Sequence, residues 1–348
     1  MRFLLPIPFS RLLGPGVTIT GVLAVVLLVL TGRLDINSIT DLFSSGLGPA
    51  ASDVVPQSAK KENVLTIATF NIQVFGETKV GKEPVMVELA RICKLFDVIA
   101  IQEVRSPAAE PIQKLVKRMN EDGSRYSFAL SSPIGRSTSP THTEQYAFVF
   151  DTTRVRITSD PNRVYVMNDE LDRMHREPFV ASFTAIPSGN ENRQPFSFTL
   201  INVHTDPDEV SGNRGTENEL DVLADVFVNV RAWEYSRHGE DDFILLGDLN
   251  TSSDRLYGLA RIPGLKSLTG GQPTNTPGTR ELDHILVDTN ATTEYTRQAN
   301  VLDLTRDLNI PAELAAAISD HRPVWAQFSA FEVPPYDPSI AATNSPVR

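Results

Sequence analysis

The chain has 348 residues, 41 % hydrophobic and 22 % charged, a balance that excludes an intrinsically disordered chain and allows one large buried core. Its formal net charge of −11 excludes a simple basic nucleic-acid-binding domain and predicts weak affinity for phosphate backbones without metal. A nuclease is not excluded, because divalent cations and local arginines can neutralise a carboxylate-rich cleft.

Residues 1–16 carry Arg2 and Arg11 and no acid, and lead into VTITGVLAVVLLVLTG from Val17 to Gly32. Counted from Leu12 the apolar and weakly polar stretch is about 21 residues, near the length that spans a bilayer. No small-x-small pattern follows Leu30, so 1–33 reads as an N-terminal signal anchor or transmembrane helix in preference to a cleaved signal peptide. With the arginines ahead of it, the positive-inside rule places the rest of the chain outside the cytoplasm, periplasmic or extracellular, and secreted if the segment is cleaved. Residues 34–62 mix Ser, Gly, Pro and Ala without periodicity and read as a flexible tether. The tail 333–348 holds four prolines and little that could pack, so disorder is expected there.

Between them, 63–332 reads as one α/β domain. Short β-type runs cover Val64–Phe70, Asp97–Gln102, Tyr146–Phe150, Phe179–Ile186, Phe196–Val203, Phe243–Leu246, Leu282–Val287 and Pro323–Phe328. Helical spacing covers Pro84–Leu95, Glu110–Met119 and Thr216–Trp233. Cys93, the one cysteine, falls on the apolar face of the first helix and is expected to be a buried thiol with no nucleophilic role. With no second cysteine there is no intrachain disulfide.

Polar residues sit at the ends of the apolar runs. Asn71 ends TIATFN, Glu103 ends DVIAIQE, His204 ends FTLINVH, and Asp248 with Asn250 ends FILLGDLN. Asp283 begins DHILV, and Asp320 with His321 introduces HRPVWAQF. One such residue is an ordinary turn residue; a series of them at strand edges points to one shared cleft. Carboxylate and amide oxygens suit a hard divalent cation such as Mg²⁺, which can neutralise charge developing on a phosphoryl transition state. A histidine oriented by a carboxylate can accept the proton of an attacking water. Histidine is scarce, six in the chain, so two at strand ends are informative.

ATFNIQVFGETK, DVIAIQEVR, REPFVASF, NVHTDP, LLGDLN, LDHILV and AISDHRPV resemble the motif series of the endonuclease/exonuclease/phosphatase superfamily, and within it the deoxyribonuclease I branch, over about Val64 to Phe331. The resemblance implies a four-layered α/β/β/α sandwich of two packed, mainly antiparallel sheets flanked by helices. It implies a hydrolase that cuts phosphodiester bonds, a metal-dependent endonuclease acting on DNA with little sequence specificity. Mg²⁺ or Mn²⁺ would be its ion, with Ca²⁺ as a further candidate. By motif, Glu103 resembles the principal metal carboxylate, supported by Asn71 and Asp320. His321 resembles the general base, oriented by Asp283, and His204 the second catalytic histidine, partnered by Glu144. Asp248 and Asn250 resemble the pair that orients the phosphate and nucleophile or a second metal. Arg176 and Arg105 resemble arginines that bind backbone phosphates. Asp172 and Glu177 resemble a structural calcium pair, in a shorter loop.

The departures are the absent disulfides, His142 where the branch has a groove-packing tyrosine, Gln272 where it has a calcium carboxylate, and the added N-terminal segment. These place double-strand preference and calcium dependence in question. Two other readings stay open: a phosphatase or phosphodiesterase on phospholipid or inositol-phosphate esters, and an inactive membrane-tethered binding module. No obligate protein partner is evident.

Overall fold

The computed structural model describes residues 60–106, 109–136, 143–189, 192–211 and 217–333. The expected membrane segment, nearly all of the tether, His142 and all but the first residue of the expected tail lie outside the described residues. Among the described residues no helix is long and apolar enough to cross a membrane.

Two sheets carry the domain. The first has six strands: β1 (Val64–Phe75), β2 (Val98–Val104), β3 (Tyr126–Leu130), β4 (Gln145–Asp151), β12 (Tyr295–Val301) and β13 (Val324–Ser329), in the order β12-β13-β1-β2-β4-β3. The second holds β5 (Val155–Ile157), β6 (Val164–Val166), β7 (Phe179–Ala185), β8 (Ser197–His204), β9 (Phe243–Asp248), β10 (Leu265–Ser267) and β11 (Asp283–Asp288), in the order β10-β11-β9-β8-β7-β5 with β6 also on β7. Each sheet is antiparallel except for one central parallel pair, β1 with β2 and β8 with β9.

Three apolar layers account for this arrangement. Helices α2 (Glu83–Cys93), α3 (Glu110–Met119) and α6 (Ala312–Ile318), after the short α1 (Glu77–Val80), bury Leu89, Ile92, Leu115 and Ile318 on the outer face of the first sheet. Between the sheets Ile67, Phe148, Phe183, Phe198, Leu246 and Phe328 close the central layer. On the far side α5 (Glu219–His238), after the short α4 (Pro207–Val210), lays Leu220, Leu223, Phe227 and Val230 on the second sheet. Burying strands on both faces is why they read as continuous apolar runs. Cys93 is fully buried in the first layer, which pushes its thiol up to about 12.

The helix expected at Thr216–Trp233 is shifted. It starts at Glu219 because the Asn218 side chain accepts from Leu220 N and so caps it, and it ends where Gly239 adopts a left-handed φ of 68°. Its last turn is polar, and Glu234 there is held by Arg163 at 2.8 Å. The domain's contacts also begin ahead of the expected boundary at residue 63: Lys60 Nζ reaches Asp151 at 2.8 Å and Asp97 at 3.2 Å.

Candidate active site

The strand ends converge on one rim of the sandwich, and two irregularities aim the side chains there. Between Asn71 and Phe75, β1 carries extra residues relative to β2, a bulge that redirects the strand. Val74 and Glu103 adopt positive φ of 49° and 60°, conformations that L residues hold only where the surroundings impose them. Val74 N donates to Glu103 Oε2 at 3.0 Å. On the second sheet, Gly247 has φ 148°, and a Cβ there would lie 1.8 Å from Val203 O. Only glycine lets β8 and β9 approach closely enough to set His204 opposite Asp248.

Two histidine–carboxylate dyads face each other across this rim. His204 Nδ1 lies 2.8 Å from Glu144 Oε1, and His321 Nδ1 lies 2.8 Å from Asp283 Oδ2. Each dyad takes one member from each sheet: Glu144 precedes β4 and His204 ends β8, whereas Asp283 opens β11 and His321 precedes β13. Their Nε2 atoms point to the same oxygen, Asp248 Oδ2, at 3.5 and 3.6 Å. Asp248 is buried at the end of β9 and also accepts from Asn71 Nδ2 at 3.0 Å. Asn71 Nδ2 lies 3.3 Å from Glu103 Oε1, so the two histidines, Asp248, Asn71 and Glu103 are joined through direct contacts.

The electrostatics follow from these contacts. Burial opposes charge on His321, but Asp283 and Asp248 beside it outweigh burial and raise it to about 10. His204 is also raised: burial lowers it, and Glu144 more than compensates. Glu144 ends below the usual carboxylate range because His204, Arg176 and Arg105 together overcome its burial. Asp283 goes the other way, pushed up by complete burial and by Asp248 despite His321.

The remaining expected residues occupy graded positions. Asn250, at φ 50°, donates from Nδ2 to Thr205 O at 2.8 Å and from its backbone to Asp248 Oδ1 at 3.0 Å, which fixes the loop after β9. Arg105 bridges Glu103 at 3.2 Å and Glu144 at 3.8 Å with about a third of its side chain exposed. Arg176 is buried, with Glu144 as its acid partner at 3.3 Å, and it donates to His204 O at 3.1 Å. Asp320 is more peripheral, largely exposed, with Oδ1 3.8 Å from His321 Nε2. Asp172 and Glu177 lie in the loop between β6 and β7, where Glu177 directly follows Arg176. Burial, followed by repulsion from Asp169 and Asp172, raises Glu177.

Several residues escaped the sequence reading. Lys79, buried within FGETK, donates to Ile318 O at 2.7 Å and to Gln73 O, and feels both Glu103 and Asp320, although burial lowers it to about 8. Ser319 Oγ donates to Asn71 O at 2.7 Å and accepts from His321 N at 3.1 Å, linking the two. Tyr146 Oη accepts from His204 N at 2.9 Å. Beneath the rim Gln102 Nε2 donates to Asn202 Oδ1 at 2.6 Å, a buried polar link between the sheets. Lys79, Gln102, Asn202 and Ser319 lay inside motifs already singled out but at positions given no role there, and Tyr146 had no signal beyond a polar hydroxyl in an apolar run.

The donor set suits a hard cation. Asn71 Oδ1 and Asp283 Oδ1 are buried and accept no hydrogen bond, and Asp248, Asp283 and His321 offer ligand atoms all within 4.8 Å of one another. Carboxylate and amide oxygens dominate, as Mg²⁺ and its analogues require. A model of the endonuclease/exonuclease/phosphatase family matches residues 68–321. The chain belongs to this family. It is 32 % identical over 280 residues to deoxyribonuclease-1-like 1 of Cricetulus griseus, covering 76 % of this chain and 83 % of that one. It is 33 % identical over 193 residues to deoxyribonuclease-1 of Sus scrofa, covering 53 % and 60 %. A solved endonuclease/exonuclease/phosphatase structure from Bacteroides vulgatus aligns over 77 % of this chain and 99 % of that one, at 15 % identity and a TM-score of 0.49. This endonuclease/exonuclease/phosphatase family member is of the deoxyribonuclease I-like kind, a hydrolase of phosphodiester bonds that works with a metal ion.

Proposed function

We propose that the protein is an endonuclease that cuts DNA with little sequence specificity. The observation that carries this reading is the pair of dyads whose Nε2 atoms both face Asp248 Oδ2. A phosphodiester lying over that oxygen would have one imidazole on each side, the arrangement an in-line displacement needs. The named relatives are deoxyribonucleases, which supports DNA as the substrate.

Each Nδ1 is engaged by its carboxylate, which fixes ring orientation and leaves Nε2 for chemistry. His321 Nε2 takes the proton of the attacking water while the new P–O bond forms. His204 Nε2 gives a proton to the departing oxygen as the old P–O bond breaks, in keeping with its raised affinity for that proton. Asp283 and Asp248 hold a proton on His321; a cation bound beside them would offset that field and favour the basic form. Glu103 and Asn71, with Asp320 at the periphery, would hold Mg²⁺ or Mn²⁺; Asp248 and Asn250 would orient the phosphate. The ion supplies Lewis-acid neutralisation of charge on the phosphate oxygens. Arg105 is exposed enough to meet a neighbouring phosphate, while Arg176 orders Glu144 and His204. Contacts of this kind position a backbone without reading bases. Asp172 and Glu177, with Asp169, would bind Ca²⁺ in their loop.

We further infer from Arg2, Arg11 and the apolar run to Gly32 that the domain works outside the cytoplasm on an N-terminal anchor. Extraction of the full chain by carbonate would refute the anchor. The substrate is tested by supplying the Mg²⁺- or Mn²⁺-loaded protein with supercoiled plasmid, phospholipid vesicles and inositol phosphates. Nicking with no release from the other two is expected; head-group or phosphate release outpacing nicking would overturn the assignment to DNA.

A further inference from the structure

The strand ends remote from the catalytic rim carry a second gathering of acids. β8 runs from Ser197 to His204, and β9 ends at Asp248 with Asp242 just ahead of its first residue. At roughly 3.3 Å per residue, the starts of these parallel strands lie about 20 Å from the rim. There Glu240, Asp242, Glu294 and Glu332 line one cavity of ≈ 630 Å³. Asp242, Glu294 and Glu332 each offer an oxygen, and these atoms all lie within 4.8 Å of one another.

The hydrogen bonds of this cluster are incomplete in a specific way. Asp242 is 3 % exposed and Glu294 2 %, yet Asp242 Oδ1 and Glu294 Oε2 are buried without a well-formed hydrogen bond, the Thr292 hydroxyl being the donor nearest to hand for Asp242. The neighbouring oxygens are engaged: Glu294 Oε1 accepts from Val333 N at 2.6 Å and Glu332 Oε1 from Ser197 N at 2.8 Å. Glu240 accepts from Asp242 N at 3.0 Å and from Ser197 Oγ at 2.6 Å. Among the described residues, the cationic side chains at or beside the cavity are Arg163, 3.4 Å from Glu240, Arg193, which stacks over Phe331 and is engaged elsewhere as well, and His238. A buried carboxylate with a free oxygen, set against two others, is strongly disfavoured unless positive charge joins it.

We propose that Asp242, Glu294 and Glu332 form a structural Ca²⁺ site at this end of the sandwich. The donors are all oxygen, which selects a hard cation. Ca²⁺ takes six to eight oxygens in flexible geometry, whereas Mg²⁺ demands a near-ideal octahedron, and three carboxylates brought in by separate segments suit the former. The cavity opens to solvent and leaves room for water ligands. The ion would tie the start of β9 and the turn ahead of β12 to Glu332, next to the Pro195–Phe331 bridge that already holds the segment after β13. The competing occupant is a proton: without a cation, burial and Glu294 push Asp242 up to about 10. The site stands apart from the catalytic rim and does not depend on which substrate is cut there.

The test is Ca²⁺ binding by flow dialysis to the EDTA-stripped full chain, with Tm measured alongside. In Asp242→Asn/Glu294→Gln, one equivalent of Ca²⁺ should be lost and the Ca²⁺-induced rise in Tm should shrink by the share that ion supplies, while plasmid nicking in Mg²⁺ persists. In Glu332→Gln, whose side chain lies at the cavity rim, affinity should fall at least about 10-fold. Glu103→Gln should retain both the equivalent and the rise. Unchanged stoichiometry and an unchanged rise in the double variant would overturn the proposal. So would a double variant that is more stable than wild type in EDTA and still binds the full complement of Ca²⁺, since protons would then be the occupant. If the double variant does not fold, unchanged affinity in Glu332→Gln overturns it.

Discussion

The two ends of the same strands treat carboxylates in opposite ways. At the catalytic rim each buried acid meets a cation or an amide: Glu144 has His204, Arg176 and Arg105, Asp283 has His321, and Asp248 has both histidines and Asn71. At the far end Asp242, Glu294 and Glu332 set oxygens against one another, and Asp242 Oδ1 and Glu294 Oε2 are buried without a hydrogen bond, as Asp283 Oδ1 is at the rim, but with no histidine beside them as Asp283 has. The lesson is that the sheet supplies rigid, dry strand ends at both edges, and the partners brought by the adjoining loops decide what the acids can do. Histidine partners make proton chemistry; an all-oxygen set makes a cation site.

The largest effect that would sharpen this contrast is removal of a dyad carboxylate together with its histidine's orientation. Asp283→Asn and Glu144→Gln should slow plasmid nicking by about 10²- to 10⁴-fold, the range for a positioned acid or base, in single-turnover assays that compare the two. Next comes the metal. Glu103→Gln should raise the Mg²⁺ concentration for half-maximal nicking by about 100-fold, the upper end of what loss of a supporting partner costs. A titration curve superimposable on wild type would remove Glu103 from the cation site.

Gly247→Ala should destabilise the domain by on the order of 3 kcal/mol, because its Cβ would meet Val203 O at 1.8 Å; chemical denaturation measures this. A smaller effect concerns pH. His321 in the metal-free protein stands at about 10, above an unfolded value of about 6.5. Its contribution is therefore fully present below about pH 6.5 and is lost as the pH rises through 10. In EDTA, the fall in Tm over that window should be shallower in His321→Gln than in wild type.

The rim was legible because its residues end strong apolar runs and recur as an ordered motif series. Asn71, Glu103, His204, Asp248, Asp283 and His321 all announced themselves in that way, and the structure brings them together. The eight expected strands are present with ends shifted by a few residues. What escaped was short or polar: β12 reads YTRQANV and lies at an exposed edge, so it shows no alternation. α6, AELAAAI after Pro311, is too short to display a period. The far-end cluster escaped for a related reason. Glu294 and Glu332 are isolated acids in loops, and only the pairing of β13 and the course of the chain around β12 bring them to Asp242.

The central claim, two dyads serving one phosphodiester, is tested most directly by the single-turnover nicking rate of His204→Ala and His321→Ala loaded with Mg²⁺ or Mn²⁺. Both should lose about 10² or more in rate with unaltered circular dichroism. A wild-type rate in either variant would contradict the account.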